Sequence, residues 1–247
     1  MADHLARAYA FLERADMAGQ RTEPSSVGAA VFDEAVPRRL DSNYLHVKRE
    51  ADGETVQAEA ERLQRRMIHV SDSELGEQLA PHFKKQAWLV RRHVVMAQLR
   101  EPERAGDLSI VSEVEEPMLR AARYQVVTGE PWAKPEVMEQ LFAAKELIGQ
   151  RVAARHFAVV LDGKVVSYTD LYQDGADAQV EDVGTLQEHR KRGYASAVVL
   201  AAIAEARKDG AEFVFLVADQ EDWPKELYRR LGFDELGYYV KFIAPHT

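Results

Sequence analysis

The 247-residue chain has no cysteine. That excludes disulfides, thiolate nucleophiles and cysteine-based zinc sites, and it agrees with a reducing, cytoplasmic setting. No apolar run approaches membrane-spanning length. The first residues, Met1 to Arg7, lack the basic and apolar segments of a secretory signal. Positive charge is in deficit: 32 Lys and Arg stand against 41 Asp and Glu, for a net charge of -9. Phosphate backbones are held by clustered basic surface, so no nucleic-acid partner is expected. Solubility accounts for the acidity, which also mildly favours a cationic ligand. The eight histidines fall in no metal-ligand spacing, so no metal is expected. Neither a Gly-x-x-x-x-Gly-Lys-Ser/Thr loop nor a Gly-x-Gly-x-x-Gly turn is present. The 46% of hydrophobic residues suffices for a sizeable core, in one large domain or two small ones.

Against these absences stands one stretch, Val183 to Ser196. Gln179 to Thr185 reads as a strand. It runs into a basic turn with Arg190, Lys191 and Arg192, and a helical pattern extends from Gly193 to about Lys208. A strand, a turn and a helix start together hold a diphosphate well, because unpaired N–H groups and the positive end of the helix dipole point at the anion. Gly193 and Ala195 let a phosphate approach the backbone.

Downstream, Phe213 to Val217 is a compact apolar run that reads as a buried strand. Leu227-Tyr228-Arg229-Arg230-Leu231-Gly232-Phe233 follows, with Pro224 suited to a first helical turn and Gly232 to a C-cap. Tyr239 to Ile243 reads as a last strand. The spacing Arg190-x-x-Gly193-x-Ala195, followed by a strand and then Leu-Tyr-x-x-x-Gly-Phe, resembles the GNAT family of N-acetyltransferases over about residues 107–247.

The rest of that span has a strand pattern from Leu108 to Val111, a helix at Pro117 to Val127 and a loop at Thr128 to Pro135. A helix at Glu136 to Gln150 follows, then a hairpin around Asp162-Gly163. The resemblance implies an α/β fold with a mixed central sheet flanked by helices. A charged stretch with Pro and Gly, Arg100 to Gly106, reads as a linker. It separates residues 1–105 from residues 106–247, the domain carrying the acetyl-CoA loop. The first part repeats the pattern weakly. Phe83 and Trp88 lie 145 positions before Tyr228 and Phe233, Met67 to Val70 matches the strand at Phe213, and Glu59 to Arg66 matches a shortened helix. The turn from Lys48 to Glu54 has no Arg-x-x-Gly-x-Ala spacing. Residues 1–105 thus look like a degenerate, partial GNAT-like domain, or else like a chance likeness of two amphipathic helices.

The resemblance also implies roles. Acetyl-CoA is the co-substrate. Val183, Gly184 and Thr185 serve its pantetheine arm and the oxyanion. Arg190, Lys191, Arg192, Gly193, Tyr194, Ala195 and Ser196 serve its diphosphate. Tyr228 is the expected acid for the departing thiolate. The family's Glu position is held here by Gln179, which takes no proton, so Glu181, two residues along the same strand face, is the expected base. Asp182 should point to the opposite face. The acceptor is expected to be a small-molecule amine rather than a protein. The alternative is a non-catalytic acyl-CoA-binding or interaction protein. Nothing in the residues specifies the oligomeric state.

Overall fold

The apolar patterns resolve into a mixed α/β architecture in the computed structural model, which describes residues 2–104, 106–130 and 132–245. Ala105 of the linker and Pro131 of the following loop lie outside the described residues. In chain order the elements begin with α1 (Ala2–Arg14), β1 (Arg21–Ser25), β2 (Gly28–Phe32), β3 (Leu45–Val47), α2 (Gly53–Arg62), β4 (Met67–Val70), α3 (Ser73–Lys85) and β5 (Leu89–Gln98). They continue with β6 (Val111–Glu113), α4 (Glu116–Val126), α5 (Pro135–Gly149), β7 (Ala153–Leu161), β8 (Lys164–Asp174) and β9 (Asp177–Thr185). The last are α6 (Tyr194–Lys208), β10 (Phe213–Asp219), α7 (Pro224–Arg230) and β11 (Phe233–Ile243). The strand pattern expected from Leu108 begins instead as a 3-10 turn, because the Asp107 carboxylate accepts from the Ser109 N–H at 3.0 Å and curls the backbone. No helix among the described residues is long and apolar enough to cross a membrane.

Two compact units emerge, and neither is continuous in sequence. The first comprises Met1–Val95, Val217–Lys225 and Glu235–Thr247; the second comprises Met96–Leu216 and Glu226–Asp234. In the first unit β1 and β2 form an antiparallel hairpin, β2 pairs antiparallel with β3, and β3 pairs parallel with β4 across α2. The antiparallel partner on the other side of β4 is β11, in the register Val240 to Val70. The C-terminal strand therefore belongs to the first unit's sheet. Helix α3 buries Leu75, Leu79 and Phe83, spaced one turn apart, against Ile68, Val70, Val240 and Phe242. Phe83 stacks on Phe242 at 4.4 Å. An added Cβ at Gly76 would meet the Val240 side chain at 2.5 Å, so the helix needs glycine there to approach the strand.

The second unit carries β6, β7, β8 and β9 as an antiparallel series, with β10 parallel to β9 across α6. Asp162 and Gly163 both take positive φ (49° and 75°), the geometry of a tight two-residue hairpin turn. Leu119 and Ala122 of α4, Tyr168 of β8 and Val198 of α6 belong to one buried cluster. β9 is bulged. Tyr168 faces Gly184 while Asp170 faces Glu181, so Asp182 and Val183 together oppose Thr169. Asp182 absorbs the extra residue with φ 52°.

Candidate functional site

The turn after β9 is built to leave donors open. A 3-10 turn at Gln187–His189 leads to Lys191 and Gly193, both left-handed (φ 62° and 83°). Gly193 is the N-cap of α6 and offers no side chain to it. The first intrahelical bond at this end runs from the Ala197 N–H to the Gly193 carbonyl, which leaves the Tyr194, Ala195 and Ser196 N–H groups without helix partners. A Cβ at Gly193 would meet nothing within 4 Å, so the ground in front of these amides is clear. Beside them opens a cavity of about 540 Å³, lined by Arg192, Gly193, Ser196, Arg104, Arg230 and neighbours that include Glu103 and Asp107. Three guanidinium groups, open amides and a helix dipole give this side of the cavity the chemistry that attracts an anion. Arg190 turns back, its Nε donating to the Thr185 carbonyl at 3.2 Å, and so braces the turn.

On the strand, Gln179 is fully buried and donates Nε2–H to the Glu181 carboxylate at 2.9 Å. That bond fixes the amide's orientation and leaves Gln179 Oε1 buried without a hydrogen-bond partner. Glu181 is half-buried on the same face. The bulge overturns the expectation for Asp182. Its carboxylate sits 2.9 Å from both Arg123 Nε and Lys145 Nζ, the two cations that also hold Asp170, the residue opposite Glu181. One left-handed residue breaks the two-residue alternation and brings Asp182 to the face it should have left.

Those contacts belong to a buried ion cluster. Asp170, with no exposed surface, accepts from Arg123 at 2.5 Å, Lys145 at 2.7 Å and Tyr172 at 3.2 Å, and His156 Nδ1 lies 2.7 Å away. Arg123 also reaches Glu116 at 2.7 Å. Burial works against the Asp170 carboxylate, but Lys145, the His156 hydrogen bond and Arg123 outweigh it and hold its pKa well below the usual range. Lys145 is correspondingly raised, Asp170 and Asp182 overcoming its own burial.

Residues 120–233 match the model of the Acetyltransferase (GNAT) family. They form a GNAT acetyltransferase domain. Structural likeness extends over nearly the whole chain. A GCN5-related N-acetyltransferase from Kribbella flavida superposes with TM-score 0.61 at 15% identity, covering 100% of this chain and 95% of its own. A functionally unknown conserved protein from Staphylococcus epidermidis gives 0.69 at 13% identity, covering 94% and 96%. A tandem GNAT protein from the clavulanic acid biosynthesis pathway gives 0.53 at 14%, covering 94% and 86%. At such identities the likeness is one of fold. No curated protein matches the sequence.

Within the GNAT domain the residues expected to bind the co-substrate divide into groups. Arg192, Gly193 and Ser196 line the cavity, and Tyr194 and Ala195 supply the next amides. Lys191 is exposed in the turn. Val183, Gly184 and Thr185 lie on the strand that feeds it. Gly184 has a packing reason to be glycine, since a Cβ would come within 2.2 Å of the Tyr168 ring. The Gly184 carbonyl accepts from Ser167 Oγ at 2.9 Å. Tyr228 is buried in α7, edge-on to Phe233 at 6.1 Å; the residues of α7 that line the cavity are Leu227 and Arg230, joined by Leu231 just after the helix. Trp132, in the loop between α4 and α5, is exposed. His189 has its Nδ1 buried and unpartnered beside Tyr194. Sequence reasoning missed Arg104 and Arg230 at the cavity and the whole Asp170 cluster. A signal for the latter existed: an acid amid the apolar positions of a buried strand must be paired.

Proposed function

We propose that the protein is an acetyl-CoA-dependent N-acetyltransferase that moves an acetyl group to a primary amine of a small molecule by direct attack in a ternary complex. The observation that carries this reading is the uncapped start of α6 beside the arginine-lined cavity. The amides of Tyr194, Ala195 and Ser196 would hold the diphosphate, with Arg192 and its neighbours Arg104 and Arg230 neutralising phosphate charge. Val183, Gly184 and Thr185 would carry the pantetheine arm and a backbone donor for the oxyanion. Glu181, held in place by Gln179, would take the proton of the incoming ammonium, directly or through water. The Tyr228 hydroxyl would protonate the departing thiolate.

The N-terminal part, residues 1–105, fits a degenerate GNAT-like domain without a co-substrate loop. α3 and α7 end 145 positions apart, at Lys85 and Arg230, which keeps the spacing of Phe83 and Tyr228. A second reading, a non-catalytic acyl-CoA-binding protein, draws on Gln179 standing where the family has its Glu.

A direct test separates the two. Acetyl-CoA is titrated by calorimetry, and free coenzyme is then followed across a panel of amines with wild type and Tyr228→Phe. An enzyme releases coenzyme with at least one amine, and Tyr228→Phe lowers kcat by about 100-fold while leaving acetyl-CoA affinity within about twofold. Tight binding with no turnover on any amine supports the binding protein. No acetyl-CoA binding at all defeats both.

A further inference from the structure

A second constellation of reactive side chains stands in the first unit. Ser71 follows β4 and precedes Asp72, the N-cap of α3. Its Oγ lies 3.0 Å from His46 Nε2 and 3.0 Å from His69 Nε2. His46 Nδ1 faces the Glu13 carboxylate at 3.5 Å, and Lys48 Nζ approaches the same oxygen at 3.4 Å. The Tyr9 hydroxyl donates to the Ser71 carbonyl at 3.3 Å and steadies the backbone. Tyr9, Glu13, His46, Lys48, Ser71 and Leu75 line a cavity of about 340 Å³.

The direction of the protons follows from what has no partner. His69 Nδ1 is buried and unpartnered. A neutral His69 therefore places its proton on Nε2, where Ser71 Oγ accepts it. That leaves the Ser71 hydroxyl proton for the other neighbour, His46 Nε2. His46, accepting at Nε2, carries its own proton on Nδ1, toward Glu13. Each group has one consistent state, and the chain runs His69 to Ser71 to His46 to Glu13. A serine whose proton points at an imidazole, itself backed by a carboxylate, is the arrangement of an activated hydroxyl nucleophile, recognised by geometry and not by sequence order. The 3.5 Å gap to Glu13 is of the loose kind that closes when a reacting group binds.

We propose that Ser71, with His46 as its base and Glu13 as the group that orients His46, forms a nucleophilic site for small activated acyl or phosphonyl groups. In the acyl step Ser71 Oγ bonds to the carbonyl carbon and the bond from that carbon to the leaving oxygen breaks. The hydroxyl proton passes to His46 Nε2 and on to the leaving group. Water then takes the acyl group and restores the hydroxyl. Burial, with Lys48 adding to it, lowers the His46 pKa to about 3, so the imidazole is neutral and its lone pair available at physiological pH. The same burial makes it a weak base, which suits a good leaving group such as a nitrophenolate and not an amide.

The test treats the full chain with a fluorophosphonate probe, which forms a P–O bond to the serine and loses fluoride with the hydroxyl proton. Adducts are located by intact mass and peptide mapping. The expected result is a single adduct at Ser71, absent from Ser71→Ala, together with p-nitrophenyl acetate hydrolysis that Ser71→Ala abolishes. His46→Asn slows labelling by about 100-fold. Because His46 is buried, its folding is checked by circular dichroism, and Glu13→Gln, at a half-exposed side chain, provides an independent variant that slows labelling without disturbing the fold. A wild-type protein that takes no adduct at Ser71, or a Ser71 adduct that forms equally fast in both variants, overturns the proposal.

Discussion

The helices that follow β3 and β9 start in opposite ways. α6 starts at Gly193, which brings no side chain, sits in a left-handed turn and leaves clear space before the first amides. α2 starts at Asp52, whose carboxylate accepts from the Thr55 N–H at 2.7 Å. That hydrogen bond from Thr55 also keeps Asp52 ionised by lowering its pKa. A Cβ at Gly53 would strike the His82 ring at 2.3 Å, so the ground ahead of α2 is already filled. One helix start satisfies itself and presents a negative charge; the other leaves its donors open. A single N-cap residue thus separates a helix start that is closed by its own side chain from one that could receive an anion.

The buried polar centres differ as well. The second unit buries ions, with Asp170 among Arg123, Lys145 and His156. The first buries His46, His69 and, partly, His93, all with lowered pKa because burial disfavours their charged form. It also holds the Lys241–Asp41 pair, in which Asp41 overcomes the burial of Lys241 and raises its pKa.

The largest expected effect breaks the ionic centre. Asp170→Asn leaves Arg123 and Lys145 facing only Asp182 and Glu116 and should destabilise the protein by about 3–5 kcal/mol in urea unfolding. A loss under 1 kcal/mol would mean the cluster is well hydrated. Next, Gly193→Asp copies the first unit's N-cap onto α6. There is room for the side chain, but φ of 83° strains it by about 1–2 kcal/mol. Acetyl-CoA affinity should fall by at least about 100-fold, or ~2.7 kcal/mol.

A pH comparison sharpens the contrast between the centres. Below about pH 6.5 an unfolded chain protonates its imidazoles, whereas folded His46 and His93 stay neutral down to about 3. Their folded pKa is depressed, so their stabilisation is present above about 6.5 and lost as pH falls toward 3. Asp170, a depressed carboxyl, contributes above about pH 4 and loses that contribution only below it. Hydrogen exchange at pH 7.5 and 5 should therefore show the amides of β3 and β4 losing protection while those of β8 keep theirs, once intrinsic rates are corrected. Equal loss in both would contradict the assignment. The smallest effect is expected of Asp52→Ala, a slight drop in Tm with acetyl-CoA binding unchanged.

Much of the turn between β9 and α6 was legible in the sequence because it is local. Val183 to Ser196 is one continuous stretch, and its strand, turn and helix each carry their own pattern. α7, ended by Gly232, was legible for the same reason. The Asp170 cluster was not, since its partners arrive from 47, 25 and 14 positions away, and no periodicity links them. The bulge at Asp182 was hidden too: nothing in Glu181-Asp182-Val183 announces a left-handed residue, and without it the strand face is misassigned. The pairing of β11 with β4 rests on register between strands more than 160 positions apart, which depends on tertiary packing rather than propensity. Ser71, His46 and Glu13 gave no motif because three elements bring them together.

The most direct measurement is the stoichiometry of acetyl-CoA binding by calorimetry, on wild type and Gly193→Asp side by side. One site per chain, with affinity reduced by at least about 100-fold in the variant while its circular dichroism matches wild type, is the result the uncapped start of α6 requires. Two sites per chain, or an affinity unchanged by Gly193→Asp, would show that the anion is held elsewhere.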